Sequence, residues 1–356
     1  MNAALLGAGE PHFDAHLRTL QVLPEIDSIY IWGDDDDAMA ALRADKPDKV
    51  DGLFSDLDEL LARDDLFFAI ATMRSDLKPA IFDRLLQAGI HLMGEKPIAS
   101  TAAEVAALVE TAESRNLVLG TCYQNRYHPL VRDVRALIAQ DLVGPLMSIE
   151  MRMLTTQPKF RKPESWLFNQ KKAGGGMLTW LGCHYIDMMR YISGDEIVSV
   201  AAEVATRSGE SIDVEDVAVL SLRFRSGAIG SLHTGYTLAL KGAQYGDTPS
   251  YDTYVGVNGR DGRIYWNDAS DRGHLYVEST HSSWAAAPRK EYNFAVAESP
   301  AYGGVYGEAF IGDFIKAARS GGVPPASGRD ALQVARVIDA AYESSRSGRR
   351  IDIEAP

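Results

Sequence analysis

Short apolar runs alternate with helical patterns along the first third of the chain. The predicted strands are Ala3–Leu6, Ser28–Trp32, Phe67–Ala71, Ile90–Gly94 and Val118–Thr121, and the predicted helices are Pro11–Leu20, Ala38–Ala44, Leu57–Ala62, Leu77–Ala88 and Ala102–Ser114. Strands that alternate with helices of this length indicate right-handed crossovers and a parallel sheet. The pattern therefore predicts an α/β Rossmann domain, a doubly wound parallel sheet, over residues 1–122.

The pattern changes after residue 122. Helices are predicted at Pro129–Ile138, from the glycine turn at 174–176 through Tyr191, at Gly307–Ser320 and at Arg329–Ser347. Strands are predicted at Leu146–Met153, Val198–Thr206, Val217–Arg225, Ala228–Thr237, Tyr254–Val257, Arg263–Trp266 and Leu275–Ser279. Alternating strands of this kind are typical of antiparallel sheets. Residues 123–356 are therefore predicted to form an α+β domain with a large, mostly antiparallel sheet, used for substrate binding and oligomerisation.

The first predicted strand is followed by the glycine turn Gly7-Ala8-Gly9-Glu10-Pro11-His12. Such a turn, opening a helix, lets backbone N–H groups approach a pyrophosphate. We predict that Gly7, Gly9, Glu10, Pro11 and His12 contact a dinucleotide, although His12 stands where the fingerprint has its third glycine. A plain tight turn is the alternative, and the alternating pattern that follows favours the dinucleotide.

An acidic run, Gly33-Asp34-Asp35-Asp36-Asp37, follows the second predicted strand. An acidic side chain at this position accepts hydrogen bonds from a ribose diol and repels a 2′-phosphate. Asp34 is the predicted residue and Asp35 is its close rival, whereas Asp36 and Asp37 are expected to cap the next helix. The sequence therefore predicts NAD, in preference to NADP, as the cofactor.

Two later strands also end in polar residues, Thr72-Met73-Arg74 and Glu95-Lys96-Pro97. The carboxyl ends of parallel strands border the crevice in which such sheets hold ligands. Thr72 and Met73 are expected to line the cofactor site, while Arg74 fits a surface loop equally well. Glu95 and Lys96 are expected beside the cofactor, with the Lys96 ammonium directed into the crevice because Pro97 fixes the following turn.

A second glycine turn, Gly174-Gly175-Gly176, precedes a predicted helix that contains Trp180, His184 and Asp187. Spacings of four and three residues place these side chains on one helix face. A histidine titrates near neutral pH and can exchange a proton with a substrate hydroxyl. A core histidine bonded to Asp187 is the alternative, and the presence of Lys96 favours the catalytic interpretation.

Further substrate contacts are expected from polar and aromatic residues at the start of the second domain and in the loop before the second glycine turn. The predicted substrate-binding residues are Lys96, Tyr123, Asn125, Arg126, Trp166, Trp180 and His184, and the weaker candidates are Lys159, Arg161 and Tyr236. The segment from Tyr123 to Pro129 suits a sugar-like ligand, but it could instead cap the helix that follows.

Composition and charge narrow the class of protein. The chain has 356 residues and a net charge of −13, which argues against nucleic acid or an anionic membrane as a partner. Cys122 and Cys183 lie far apart in apolar contexts, so buried free thiols are expected and no metal site is predicted. Residues 1–6 lack a basic region and are interpreted as a strand, not as a signal peptide, and no apolar run approaches membrane-spanning length. A cytoplasmic protein is expected.

The Gly7-Ala8-Gly9 turn, Glu95-Lys96-Pro97, and the Gly174-Gly175-Gly176 turn followed by His184-x-x-Asp187 together resemble the Gfo/Idh/MocA oxidoreductase family. The resemblance extends over nearly the whole chain. It implies NAD(P)-dependent oxidation or reduction of a secondary alcohol on a sugar, cyclitol or related polyol. It also implies that Lys96 touches the substrate hydroxyl and the nicotinamide ribose, and that His184 is the general acid/base.

The chain departs from that family pattern at residue 180. The family commonly has aspartate four residues before the histidine, whereas this chain has Trp180, which could stack on a sugar ring. Two other functions remain open: an NAD-recycling glycoside hydrolase or lyase of the same fold, and a non-catalytic NAD-binding sensor. A homodimer or homotetramer through the C-terminal sheet is expected, because no helix obviously covers one sheet face and exposed apolar surface is commonly buried in oligomers.

Overall fold

The computed structural model describes residues 1–161, 164–239, 250–267 and 271–354. Two compact units make up the chain: the first contains Met1–Tyr127 and Val296–Leu332, and the second contains His128–Ala295 and Gln333–Pro356. Within the described ranges, no helix is both long enough and apolar enough to cross a membrane.

The first unit is built on a six-stranded sheet in the order β3-β2-β1-β4-β5-β6. Its strands are β1 (Asn2–Leu6), β2 (Ser28–Trp32), β3 (Val50–Phe54), β4 (Leu66–Ala71), β5 (His91–Gly94) and β6 (Leu119–Thr121). Its helices are α1 (Phe13–Val22), α2 (Asp36–Asp45), α3 (Leu57–Leu61), α4 (Lys78–Gln87), α5 (Ala102–Ser114) and α9 (Val305–Ser320), together with the start of α10 (Gly328–Ser347). All the strand pairs are parallel.

The register of this sheet aligns the carboxyl ends of its central strands. Leu6 is paired with Trp32 on one side and with Ala71 on the other, Ala71 is paired with Gly94, and Gly94 is paired with Thr121. The residues that follow these strands therefore lie along one edge of the sheet, which is where ligands bind in doubly wound folds.

The second unit is built on a nine-stranded sheet in the order β14-β13-β12-β11-β7-β10-β9-β8-β15. Its strands are β7 (Leu146–Thr156), β8 (Ile197–Ala205), β9 (Val217–Phe224), β10 (Ile229–Leu238), β11 (Tyr251–Gly259), β12 (Gly262–Asn267), β13 (Asp271–Ser279), β14 (Arg289–Asn293) and β15 (Ile351–Asp352). Its helices are α6 (Pro129–Ala139), α7 (Gln170–Ala173), α8 (Cys183–Ser193) and the rest of α10. β7 and β10 are parallel, and the other pairs are antiparallel.

These two sheets confirm the predicted fold class, a Rossmann fold followed by an α+β portion with a large, mostly antiparallel sheet. The strands β3, β14 and β15 have no counterpart in the sequence analysis. β3 reads Val-Asp-Gly-Leu-Phe and has no buried residue, and four of the five residues of β14 are exposed. Edge strands of this kind lack the apolar run that marks a central strand.

One face of the second sheet differs from the expected apolar surface. Arg152 on β7 is paired with Tyr254 on β11 and with His233 on β10, and all three side chains are partly exposed. Arg152 also forms an ion pair with Asp252, with 2.8 Å between Nη2 and Oδ1. Charged and aromatic groups therefore occupy the middle of this face.

Candidate functional site

The glycine turn after β1 has a backbone that only glycine fits. Gly7 and Gly9 have φ values of 96° and 84°, in the left-handed region. A Cβ atom on Gly7 would lie 2.5 Å from the main-chain oxygen of Thr72, whose hydroxyl donates a hydrogen bond to the carbonyl of Leu6. The close approach of the two backbones leaves a cradle without side chains at the start of a helix, which fits the pyrophosphate of a dinucleotide.

His12 stands at the third glycine position of this turn and adopts the conformation that glycine would favour. Its φ is 71°, and it is the N-terminal flanking residue of α1, without a side-chain cap. Its Nδ1 atom lies 3.3 Å from Oε1 of Glu95. The structure therefore brings together two predicted cofactor residues from the ends of different strands.

In the acidic run after β2, Asp35 caps α2 and Asp34 does not. The Asp35 carboxylate accepts a hydrogen bond from the Ala38 N–H at 2.9 Å, so Asp35 is the helix cap. The expectation that Asp36 and Asp37 cap this helix is wrong, because both lie inside its first turn. Asp34 is exposed and lies two residues after β2. The Asp76 carboxylate is the main cause of the raised pKa of Arg74, and the Asp34 carboxylate adds a smaller effect.

Glu95 and Lys96 are both buried where β5 ends. The Lys96 N–H donates to Oε2 of Glu95 at 3.0 Å, and the Lys96–Pro97 peptide bond is cis. The side chain of His16 places Nε2 2.9 Å from Oε1 of Glu95. Burial raises the pKa of the Glu95 carboxyl, but the imidazoles of His12 and His16 outweigh burial and hold this pKa well below its usual range.

Three residues that support this strand end were missing from the sequence analysis. The Lys78 ammonium donates to the carbonyls of Glu95 and Pro97, at 2.9 and 2.6 Å, and so fixes the turn that carries Lys96. The Tyr302 ring packs on the rings of His12 and His16, with centroid distances of 4.9 and 5.1 Å. The only local signal was for His16, which lies one helical turn after His12.

Both cysteines are buried free thiols, as expected. Cys122 follows β6 and lies near His16, with 3.9 Å between Sγ and Nε2. Burial and the neighbouring Glu95 carboxylate raise the pKa of the Cys122 thiol well above its usual value. A neutral thiol is therefore part of the buried surroundings of Glu95.

The other predicted substrate residues of the first unit lie just after β6. Tyr123 is buried and Asn125 is partly buried. The Arg126 guanidinium is within 3.0 Å of the Asp330 carboxylate and donates to the carbonyl of Pro325 at 3.1 Å. These contacts tie Arg126 to the first turn of α10 and to the loop before it, within the same unit.

In the second unit, the predicted catalytic helix begins with a π-helical turn over Leu178–Gly182 and continues as α8. This turn has an unusual hydrogen-bond pattern, and Trp180 lies within it, whereas His184 lies in the regular helix that follows. Trp180 packs edge-to-face with Trp166, with centroids 5.9 Å apart. His184 and Asp187 are buried, with 9% and 2% of their surfaces exposed.

Two of the weaker candidates of the second unit, Arg161 and Tyr236, lie together. The Arg161 guanidinium donates to the Thr155 hydroxyl and lies over the Tyr236 ring at 5.5 Å. Burial raises the pKa of the Tyr236 hydroxyl, so this group stays protonated at neutral pH. Lys159 lies over the ring of Phe160.

The fold of the first unit and its glycine turn are typical of a dinucleotide-binding protein, and comparison with known proteins gives the family. Residues 1–123 match the oxidoreductase family model with an NAD-binding Rossmann fold, and residues 131–265 match the GFO/IDH/MocA C-terminal domain. The chain belongs to the Gfo/Idh/MocA oxidoreductase family. It is therefore an NAD(P)-dependent oxidoreductase, as the sequence analysis predicts.

Two curated relatives indicate the chemistry found among similar proteins. The levoglucosan dehydrogenase of Pseudarthrobacter phenanthrenivorans is 29% identical over 75% of this chain and 75% of its own length. The myo-inositol 2-dehydrogenase of Thermotoga maritima is 26% identical over 74% of this chain and 73% of its own. A solved structure of levoglucosan dehydrogenase with NADH and levoglucosan is 25% identical to this chain and has a TM-score of 0.85. The alignment covers 100% of both chains.

Proposed function

We propose that this protein transfers a hydride between NAD and a secondary alcohol or ketone of a sugar, cyclitol or related polyol. The substrate class is supported by the relatives, which are named for levoglucosan and myo-inositol. The observation that carries the proposal is Lys96, a lysine with 1% of its surface exposed, held at the end of a parallel strand beside the glycine turn. A buried ammonium in this position is suited to orient a polar substrate, because a charged hydrogen bond is strengthened away from water.

In this proposal Lys96 orients the reacting oxygen and His184 moves the proton. The Lys96 ammonium donates a hydrogen bond to the substrate oxygen and stabilises the negative charge that develops as the hydroxyl loses its proton. A neutral His184 imidazole accepts that proton, and in the reverse direction the imidazolium returns it. Bound NAD, held by the residues named in the next paragraph, would supply the hydride acceptor.

The cofactor-binding part of the proposal uses the edge of the first sheet. The backbone of Gly7 and Gly9 and the first turn of α1, with Glu10, Pro11 and His12, hold the pyrophosphate. Asp34 is the proposed partner of the adenosine ribose, and Asp35, which caps α2, is its rival. Thr72 and Met73 shape the floor of the site, and Glu95 fixes Lys96.

On the substrate side, we propose contacts from the polar and aromatic residues that the sequence analysis predicts. Tyr123, Asn125 and Arg126 supply polar groups, and Trp166 and Trp180 supply an aromatic surface of the kind that binds sugar rings. We also propose the domain roles that the sequence analysis assigns, with cofactor binding in residues 1–122 and substrate binding and oligomerisation in residues 123–356.

The experiment is a panel of sugars and inositols, each incubated with NAD and the purified protein while the formation of NADH is followed. Net NADH formed in proportion to the substrate consumed is expected from a dehydrogenase. A glycoside hydrolase or lyase would consume its substrate without net NADH, and a sensor would bind NAD and turn over nothing.

The same assay tests Lys96 directly. Lys96→Met should leave NAD affinity within about twofold and lower turnover by roughly a hundredfold or more, as for the loss of one preorganised charged donor. The matched control is Lys316→Met, which removes an exposed lysine of α9 that pairs with Asp313. Equal turnover in the two variants would remove Lys96 from the mechanism.

A further inference from the structure

Three consecutive backbone N–H groups at the start of the His184 helix all donate to one residue, Glu215. The Gly176 N–H donates to Oε2 at 2.7 Å, and the Leu178 N–H donates to Oε1 at 2.9 Å. Between them, the Met177 N–H reaches the main-chain oxygen of Glu215 at 3.4 Å. The first N–H groups of a helix have no partner within the helix. Glu215, from the loop before β9, therefore supplies the cap from a distant part of the sequence.

The surroundings of Glu215 leave this contact little freedom. Only 6% of Glu215 is exposed, and a Cβ atom on Gly176 would collide with its main-chain oxygen. The Tyr342 hydroxyl of α10 contacts the Glu215 carboxyl and lies 3.0 Å from the Thr179 hydroxyl. A Cβ atom on Gly175 would collide with the same two hydroxyls. Glycines 175 and 176 are therefore needed because Glu215 and Tyr342 approach the backbone so closely.

The helix that is capped in this way carries the proposed catalytic groups. The π-helical turn over Leu178–Gly182 begins at the last of the three capped N–H groups and contains Trp180, and His184 follows it in α8. No side chain of the helix itself caps either segment. A π turn has an unusual hydrogen-bond pattern and depends on the contacts around it. The position of His184 along its helix therefore depends on how the start of this turn is held.

We infer that Glu215 is a positioning residue, which fixes the start of the π turn and thereby sets the position of the His184 imidazole. This inference rests on the proposed role of His184 as the group that moves the proton. Its role requires no contact with substrate or cofactor. It acts through the backbone of residues 176–178, and its loss changes turnover more than substrate affinity.

The test compares two neighbouring buried carboxylates. Glu215→Gln keeps the shape of the side chain but replaces one acceptor oxygen with an NH₂ group, which faces a backbone N–H. Asp216→Asn is the matched control, because Asp216 is 2% exposed and its carboxylate accepts the N–H groups of Arg207 and Ser208. Both variants lose a buried acceptor for backbone N–H groups, so both should lower Tm. Only Glu215→Gln changes a contact with the start of the His184 helix.

The first measurement needs no substrate: hydrogen exchange of the full-length protein, read in the peptide that covers residues 174–187. We expect exchange in this peptide to speed up by at least about tenfold in Glu215→Gln, and to match the wild type in Asp216→Asn. The second measurement is kinetics with the polyol that the panel selects, with kcat expressed per folded, NADH-binding molecule. We expect kcat to fall roughly tenfold or more in Glu215→Gln with KM within about threefold, and both to stay within about twofold in Asp216→Asn.

The inference would be overturned if the peptide of residues 174–187 exchanged equally fast in the two variants. It would also be overturned if the two variants had the same kcat at the same loss of Tm. If Glu215→Gln does not fold, Glu215→Asp gives the same two readings, because it keeps the charge but is one methylene too short to reach both N–H groups. His184→Ala is measured in parallel. If its turnover collapses while Glu215→Gln behaves like the control, only the positioning role fails, whereas a silent His184→Ala removes the proposed function as well.

Discussion

His16 and Glu95 are 79 residues apart in the chain, yet His16 Nε2 lies 2.9 Å from Glu95 Oε1 inside the first unit. His16 belongs to α1, which begins at the glycine turn, and Glu95 ends β5 just before Lys96. The contact therefore links the backbone cradle for the pyrophosphate to the strand end that carries the lysine. Because Glu95 also accepts the Lys96 N–H, a change at the carboxylate affects both parts of the first unit.

The depressed pKa of Glu95 predicts a pH-dependent contribution to stability. Burial raises this pKa, but His12 and His16 outweigh burial and lower it well below 4.5. The ionised carboxylate then stabilises the folded state at pH values above the ordinary pKa. This contribution is lost as the pH falls through the lower folded-state pKa. Its size is about 1.4 kcal/mol for each unit by which the folded-state pKa lies below the unfolded-state pKa. The advantage of the wild type over Glu95→Gln in free energy of unfolding should therefore shrink toward acid pH.

Urea unfolding of the two proteins from about pH 7 down to about pH 2 measures this difference, because the contribution is lost below the ordinary carboxyl pKa. The matched control is Glu113→Gln, which removes an exposed carboxylate paired with Arg329 and should change stability by less than about 1 kcal/mol at any pH. A gap between wild type and Glu95→Gln that stays constant with pH would contradict the role of the histidines in holding Glu95 ionised.

Asp34 is predicted to select NAD over NADP. Its exposed carboxylate follows β2, the strand after which folds of this type commonly have an acidic partner for the ribose. Repulsion between a phosphate and a carboxylate near a protein surface is on the order of 1 kcal/mol or more. We expect NAD to bind more tightly, and Asp34→Ala to tighten NADP binding by about fivefold or more. Titration of both cofactors by protein fluorescence checks this, with Asp37→Ala in the first turn of α2 as the control. Tighter NADP binding by the wild type would rule out the assignment.

The fold could be predicted from sequence because its central strands carry their own signal. β2 and α5 have the predicted bounds, and every predicted strand of the first unit overlaps an observed one. β3 could not be predicted, because Asp51 and Gly52 interrupt its apolar residues at the sheet edge. The π turn before α8 could not be predicted either, because its residues have ordinary helical spacing and its start is held by Glu215, 37 residues from Leu178.

The candidate site shows the same division between local and distant signals. Residues at strand ends, such as Gly7 and Lys96, could be predicted because turn chemistry marks them locally. Lys78, Tyr302 and Glu215 could not, since each acts on a segment that only the folded chain brings near. Lys78, for example, looks like any other helical lysine in the sequence, and only the structure shows that its ammonium donates to two carbonyls.

Self-association through the second sheet is also predicted. Arg152, Asp252, Tyr254 and His233 form a charged and aromatic patch on strands in the middle of this sheet. Such a patch can match a second copy by pairing opposite charges across a two-fold axis. Light scattering at micromolar concentration should show a dimer or a tetramer, and Arg152→Glu should weaken association by about tenfold or more. Arg260→Glu, an exposed arginine outside the patch, should not, and a wild-type monomer would contradict the prediction.

His184→Ala should lower kcat by about tenfold to a hundredfold or more, because the variant lacks the group proposed to accept the proton. The kcat–pH profile of the wild type should show one ionisation that the variant lacks. His281→Ala is the matched control, since His281 lies in the loop after β13, where its Nδ1 accepts a hydrogen bond from the Ser283 N–H, and should leave kcat within about twofold. Wild-type turnover in His184→Ala would support the alternative of a core histidine.

Trp180→Ala should raise KM and leave kcat nearly unchanged. Trp180 occupies the position at which the family commonly has a carboxylate, and its indole packs edge-to-face with Trp166. An aromatic surface contributes to binding in the ground state and in the transition state alike, and its loss is worth about 1 kcal/mol, or roughly fivefold in KM. Trp284→Ala is the control, because it removes a buried tryptophan that contacts Lys290 elsewhere in the second unit and should lower Tm without changing KM. A fall in kcat at constant KM would instead place Trp180 in the chemical step, and the stacking role would be wrong.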